Sequence, residues 1–211
     1  DKLKSLGLIN VGPLAQGDVQ DLSVSNLEAL DSGIERGQKI IDAALGFGGR
    51  GAWAPDPTKV PLGEYGDSYL VRAVVAQIGF GANRNEFAVY QNARETSAGE
   101  PLDGAEGVYE LRFEKAKTPP VTGFWSVTVY DSDGFLTRNA IDRYALGSHS
   151  GLKPNEDGEI VITFAAEKPE SVPQENWLPI PDAPFEVTLR MFGPDGDILE
   201  GDWSAPPITR R

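Results

Sequence analysis

The chain has 211 residues, 40% of them apolar, which suits one sizeable domain with a real core. It carries 32 acidic residues against 19 basic ones, a formal charge of −13, so phosphate backbones and anionic lipid surfaces repel it and nucleic acid is set aside as a partner. There is no Cys, which excludes a disulfide frame and a thiolate metal site, and no apolar run approaches the ~20 residues that span a bilayer.

The first residue is Asp1 and not Met, as expected of a mature form after cleavage or of a trimmed chain. A Gly-rich lead is followed by Ser25-x-x-Glu28, which reads as a capping box. Leu27, Leu30, Ile34, Ile41 and Leu45 then recur at helical spacing, so a helix is expected over 25–45, weakened by Gly33 and Gly37. Gly and Pro punctuate 46–66 throughout, which marks a loop. The segment 67–83 is apolar nearly all round, so a buried helix is expected there, capped by Asp67 or Ser68. Its β-branched residues leave a strand as the alternative.

From residue 86 the period changes to two. Tyr109, Leu111 and Phe113 share one face of 108–113, and Trp125, Val127 and Val129 share one face of 124–130. Segments 160–164 and 185–192 repeat the pattern. Asp-Gly at 103–104, 133–134, 157–158 and 195–196 signals hairpin turns beside such strands. The sum is a mainly β fold: an antiparallel, jelly-roll-like sandwich with N-terminal helical additions.

The end of the chain, 175–203, carries Pro179, Pro181 and Pro184 between Trp177 and Trp203. Proline lacks a backbone donor, so 177–184 is expected along a sheet edge and not inside a sheet. It leads into a strand with Phe185, Val187, Leu189 and Met191 on one face. Pro194-Asp195-Gly196 is expected to turn the chain back, with a return strand beginning at Ile198 and Leu199. Trp203 is then placed to plug one end of the sandwich.

The motifs "GEYGDSYLVRAVVAQIGFGAN", "NRNEFAVY", "PLDG", "PPVTGFWSVTVYDSDGFL", "RYALG", "LKPNEDGEIVITF", "NWLPIPDAPFEVTLRMFGP" and "ILEGDWSAPPITRR" follow one another in an order that resembles domain of unknown function family 1214. The resemblance runs from about Gly63 to Arg211, and the helix before it resembles a linker helix. It implies a lead-in over 1–62 and a β-sandwich domain over 63–211, in proteins that are often exported and often carry a family 1254 domain upstream. It implies no established reaction. Where the family usually has "LRLYWP", this chain has "LRMFGP", so Phe192 and Gly193 replace a Tyr and a Trp.

Candidate chemistry is sparse. Arg72 lies mid-way along an apolar segment, where a buried guanidinium needs a carboxylate partner or serves as an anion clamp. Asp131–Gly134 and Asn155–Glu159 are acidic loops, but neither fits the calcium-loop template, and acidic turn residues also satisfy their own backbone. "GSHSG" holds the only His, His149, where a nucleophile elbow needs Ser at its centre. Glu64, Asp67 and Glu86 flank the apolar segment as candidate carboxylates. Trp125 belongs to the core by its alternation. Trp53, in a Gly/Pro loop, is the best candidate for a surface aromatic, and Trp177 reads either way.

The reading that follows is an exported module, periplasmic or extracellular, used for binding or assembly. It takes a small polar ligand or associates with itself as a homo-oligomer, with no cofactor and no metal. One alternative is a hydrolase or lyase acting on a polar substrate such as a glycan; another is a subunit of an extracellular filament. The residues singled out for ligand contact are Arg72, Tyr90, Arg143, Tyr144, Trp53 and Trp177; under the hydrolase or lyase reading the site lies where the apolar segment meets the sheet, near Arg72, Tyr90, Arg143 and Tyr144.

Overall fold

The computed structural model describes residues 24–45, 53–54, 62–79 and 81–211. The chain divides into two compact units, 1–46 and 47–211. The described part of the first is helix α1, Val24–Leu45. The capping box expected at Ser25 rests on a side chain outside the described residues. Gln38 donates to Asp42 one turn on, at 2.8 Å. No described helix is long and apolar enough to cross a membrane. The Gly-rich lead and most of the loop expected over 46–66 lie outside the described residues.

The second unit opens with helix α2, Tyr69–Gly79. The expected helix is there, but it is not buried: Tyr69 is 70% exposed and Leu70 42%, while Val75 is buried. Eight strands follow: β1 Ala88–Ala93, β2 Tyr109–Phe113, β3 Trp125–Asp131, β4 Ala145–Gly147, β5 Ile160–Ala165, β6 Trp177–Pro179, β7 Phe185–Phe192 and β8 Ile208–Arg210. They form two four-stranded sheets, ordered β1-β7-β3-β4 and β6-β5-β2-β8. The fold is therefore mainly β with a few helices.

Alternation along each strand does what period two predicts. Phe185, Val187, Leu189 and Met191 of β7 are buried, as are Trp125, Val127 and Val129 of β3. Tyr109, Leu111 and Phe113 of β2 meet Ile162 and Phe164 of β5 within the same sheet. Both sets belong to one hydrophobic core. Rings join the sheets directly: Tyr109 and Phe185 meet edge-on at 5.5 Å, and Phe113 lies 5.1 Å from Trp125. Each fully buried large side chain contributes about 1.5–3 kcal/mol by leaving water.

Two expectations need correction. The pairing is not antiparallel throughout, because β6 runs parallel to β5. The chain crosses from the end of β5 through a 3₁₀ turn, Gln174–Asn176, and re-enters in the same direction. β6 is still the sheet edge that its prolines demand, while β7 takes an interior position. The Asp-Gly pairs also divide in two. Those at 133–134 and 157–158 are turns, with Gly134 and Gly158 at φ +84° and +82°. At 103–104 and 195–196 the Asp instead caps a helix: Asp103 accepts from the amide of Ala105, and Asp195 from that of Asp197. Ile198 and Leu199 accordingly lie in helix α3, Gly196–Glu200, and not in a return strand. Trp203 packs on the core as expected, its indole donating to Lys117 O at 3.2 Å.

Candidate ligand-binding face

The side chains of β1, β7 and β3 that do not enter the core share the opposite face of the first sheet. Register fixes their neighbours. Tyr90 stands opposite Arg190, and Arg190 opposite Ser126. Asn92, Thr188 and Thr128 form the next row, and Glu186 and Tyr130 the one beyond.

At one end of this face four rings run across the sheet. Tyr90 meets Phe192 edge-on at 6.0 Å. Phe192 stacks on Phe124 at 4.5 Å, and Phe124 on His149 at 5.9 Å. Backbone bonds hold the row in place. The amide of Phe192 donates to Phe124 O at 2.9 Å, extending the β3–β7 ladder by one residue. The amide of Ser148 donates to Trp125 O, which keeps His149 beside β3. Gly193 has φ +64°, and a Cβ there would collide with the Thr122 hydroxyl, so glycine alone lets the chain turn directly after Phe192. Phe124 is 39% exposed and nearby Phe87 is 61% exposed.

Arg190 lies beside this row. Its Nη1 donates to Thr128 Oγ1 at 2.9 Å and its Nη2 to Tyr130 Oη at 2.7 Å, and its guanidinium sits 5.5 Å from the Tyr130 ring centre. Among the described residues it has no carboxylate partner. The neighbouring Glu186 is taken by Arg94 at 2.7 Å. Thr188 donates to Asn92 Oδ1 at 2.7 Å.

The residues singled out from sequence do not gather into one site. Tyr90 is on the aromatic row, its hydroxyl accepting from Asn83 at 2.6 Å. Tyr144 precedes β4, at the opposite edge of the sheet from β1. Arg143 turns away and donates to the carbonyls of Gln174 and Trp177, the latter at 2.9 Å, so it ties the loop before β4 to the β6 edge. Trp177 is buried and donates to Ala165 O at 2.8 Å, which settles it as core. Trp53 is not a surface aromatic: it is half-buried against the core and donates to Pro206 O at 2.8 Å. Arg72 is exposed, not buried; it donates to Gly66 O at 3.1 Å and lies over the Tyr69 ring. The helix around it covers too little surface to bury a mid-helix Arg.

Of the candidate carboxylates, Glu64 and Glu86 do converge, but on Arg84, at 2.6 and 3.2 Å. With Leu62 and Asn85 they line a small open cleft of about 130 Å³. In each acidic loop the leading residue turns a side-chain oxygen onto the loop's own backbone. Asp131 Oδ1 accepts from Asp133 and Phe135, and Asn155 Oδ1 from Asp157 and Glu159. No group of three or more His, Asp or Glu that could hold a metal occurs among the described residues. The Glu159 carboxyl is held below the usual range by its bonds from Asn155 and Arg112.

The sequence reading missed Arg190, Phe124 and Phe192 as members of one face. The signal was present in "FEVTLRMF", where Glu186, Thr188, Arg190 and Phe192 alternate with the buried residues.

A mainly β domain with one aromatic-edged, polar sheet face is the class that fold and site define. The chain belongs to the family described as "Protein of unknown function (DUF1214)", which matches residues 87–196, just over half its length. Among solved structures, the VPA0106 protein from Vibrio parahaemolyticus matches 100% of this chain at 26% identity and a TM-score of 0.68. This chain spans 50% of that protein's length. An uncharacterized protein from Burkholderia cenocepacia matches 76% of this chain at 17% identity and a TM-score of 0.46, over 35% of its own length. No curated protein matches the chain.

Proposed function

We propose that this chain is an exported binding module, a sandwich of jelly-roll type whose first sheet presents a ligand face to solvent. The observation that carries the reading is the ring row Tyr90–Phe192–Phe124–His149. A row of rings packed on one another across a sheet, bordered by hydroxyls and a carboxamide, forms an apolar strip in polar surroundings and suits a polar ligand with an apolar patch, a sugar above all. Arrangement as a jelly roll is supported by β1 neighbouring β7 and not β2, so the chain passes to the second sheet and returns. A site outside the cytoplasm accords with a chain that has no Cys to oxidise.

The test is a screen of neutral and acidic oligosaccharides by NMR titration, repeated with Phe124→Ala. Binding that perturbs β1, β3 and β7 and weakens several-fold in F124A at unchanged melting temperature supports the reading. Shifts mapping to the second sheet, or no ligand at all, overturn it. A second reading, self-association, is favoured by Phe135, Leu136 and Ile141, exposed on the segment after β3. A solution mass well above 22.7 kDa is its signature.

A further inference from the structure

Resting on that binding face, we propose that Arg190 is a subsite for a single carboxylate, and that the ligand is a sugar carrying one acid group. A guanidinium has five N–H donors. Two are used, both by neutral oxygens, Thr128 Oγ1 and Tyr130 Oη. The cation is therefore oriented without being neutralised, and the donors left over offer the fork that fits a carboxylate. Arg72 and Arg143 also bond only neutral oxygens, but neither stands beside the ring row. Several other arginines are neutralised: Arg84, Arg94, Arg112 and Arg210 all pair with glutamates.

Holding an arginine this way keeps its charge fixed in place. The Tyr130 ring supports one face of the guanidinium and the two hydroxyls fix its plane, so little freedom is left to lose when a ligand arrives. The carboxylate nearest along the strand, Glu186, is already paired with Arg94. Locally the face is positive in a chain of net −13. Charges farther away than about 8 Å are largely screened at physiological salt, so one acid group feels Arg190. A polyanion spread over the surface meets the remaining acids and is repelled.

The sugar part follows from position. Arg190 and Phe192 are two residues apart on the same face of β7, and Tyr90 stands opposite Arg190 while its ring touches Phe192. A saccharide lying on the ring row thus has Arg190 beside it, with Ser126 next to Arg190 and Asn92 one row beyond for its hydroxyls.

The experiment titrates the full chain with an aldobiouronic acid and with its methyl ester, which keeps the shape and removes the charge. The acid is expected to bind at least about tenfold tighter than the ester. Arg190→Gln should bring the acid to the affinity of the ester and leave the ester unchanged. Tyr130→Phe, which keeps the ring and removes one acceptor, should lower the preference partially and serves if R190Q does not fold. F124A should weaken both ligands alike. Equal affinity of wild type for acid and ester, or a preference that survives R190Q, overturns the carboxylate subsite and leaves the sugar face standing. Failure of wild type to bind either ligand, or of any acid or neutral oligosaccharide to bind in the screen, overturns both.

Discussion

Phe113 of β2 and Trp125 of β3 lie in different sheets, and their ring centres are 5.1 Å apart at an interplanar angle of 52°. This contact joins the two sheets at one end of the core. Both residues are nearly fully buried. Trp125→Ala is therefore expected to cost about 3–5 kcal/mol, from lost burial and the cavity left behind. Denaturant midpoints measure it, and a midpoint equal to wild type would remove Trp125 from the core.

Arg143 has a structural task. It bonds the carbonyls of Gln174 and Trp177 and so connects the approach to β4 with the edge at β6. Arg143→Ala should destabilise the fold by about 1–3 kcal/mol, the scale of hydrogen bonds from a charged donor. Ligand affinity should stay as in wild type. The reverse pattern, intact stability with lost binding, would place Arg143 in a site after all.

Glu159 gives a pH dependence of known sign. Its carboxylate accepts from Asn155 at 2.9 Å and from Arg112 at 2.7 Å, and both bonds hold its pKa below the ordinary range. A lowered folded-state pKa means the unfolded chain binds the proton more readily. The stabilisation is complete above the unfolded value, about 4.3, and is lost as pH falls through the folded one. Glu159→Gln should be less stable than wild type at neutral pH, with the difference narrowing under acid. Unfolding curves at pH 7 and pH 3 decide it; a gap that widens in acid would contradict the assignment.

How much of this was visible beforehand depended on whether the cause was local. The strand faces were legible because period two needs no knowledge of partners, and the buried set of β7 follows from its eight residues alone. Pro179 and Pro181 announced an edge because a missing donor is a property of the residue itself. Arg72 misled because apolar composition measures a preference for burial, not the presence of a neighbour to supply it. Asp-Gly misled at 103 and 195 because an aspartate side chain caps a helix as readily as it shapes a turn. The ring row was hidden for a different reason: residues 90, 124, 149 and 192 become neighbours only once strand order and register are known.

The C-terminal stretch is integral to the fold. β8 pairs with β2, Ile208 is buried, and Trp53 bonds to Pro206. A chain ending after Pro194 should fail to give a cooperative melt. A sharp transition at the wild-type temperature would show these residues to be an appendage.

Chelation should leave the melting temperature unchanged, since Asp131 and Asn155 already accept from their own turns. A drop of several degrees in EDTA, restored by calcium, would mean that these loops bind metal in solution.

The face proposed for the ligand and the core are the two sides of the same strands. On β7, odd-numbered residues from Phe185 to Met191 point inward and even-numbered ones from Glu186 to Phe192 outward. A slip of one residue would exchange the two sets, driving Arg190 into the interior and Met191 into solvent. Function here has a parity, and so does tolerance to change: an insertion or deletion of one residue within β7 forfeits ligand face and core together.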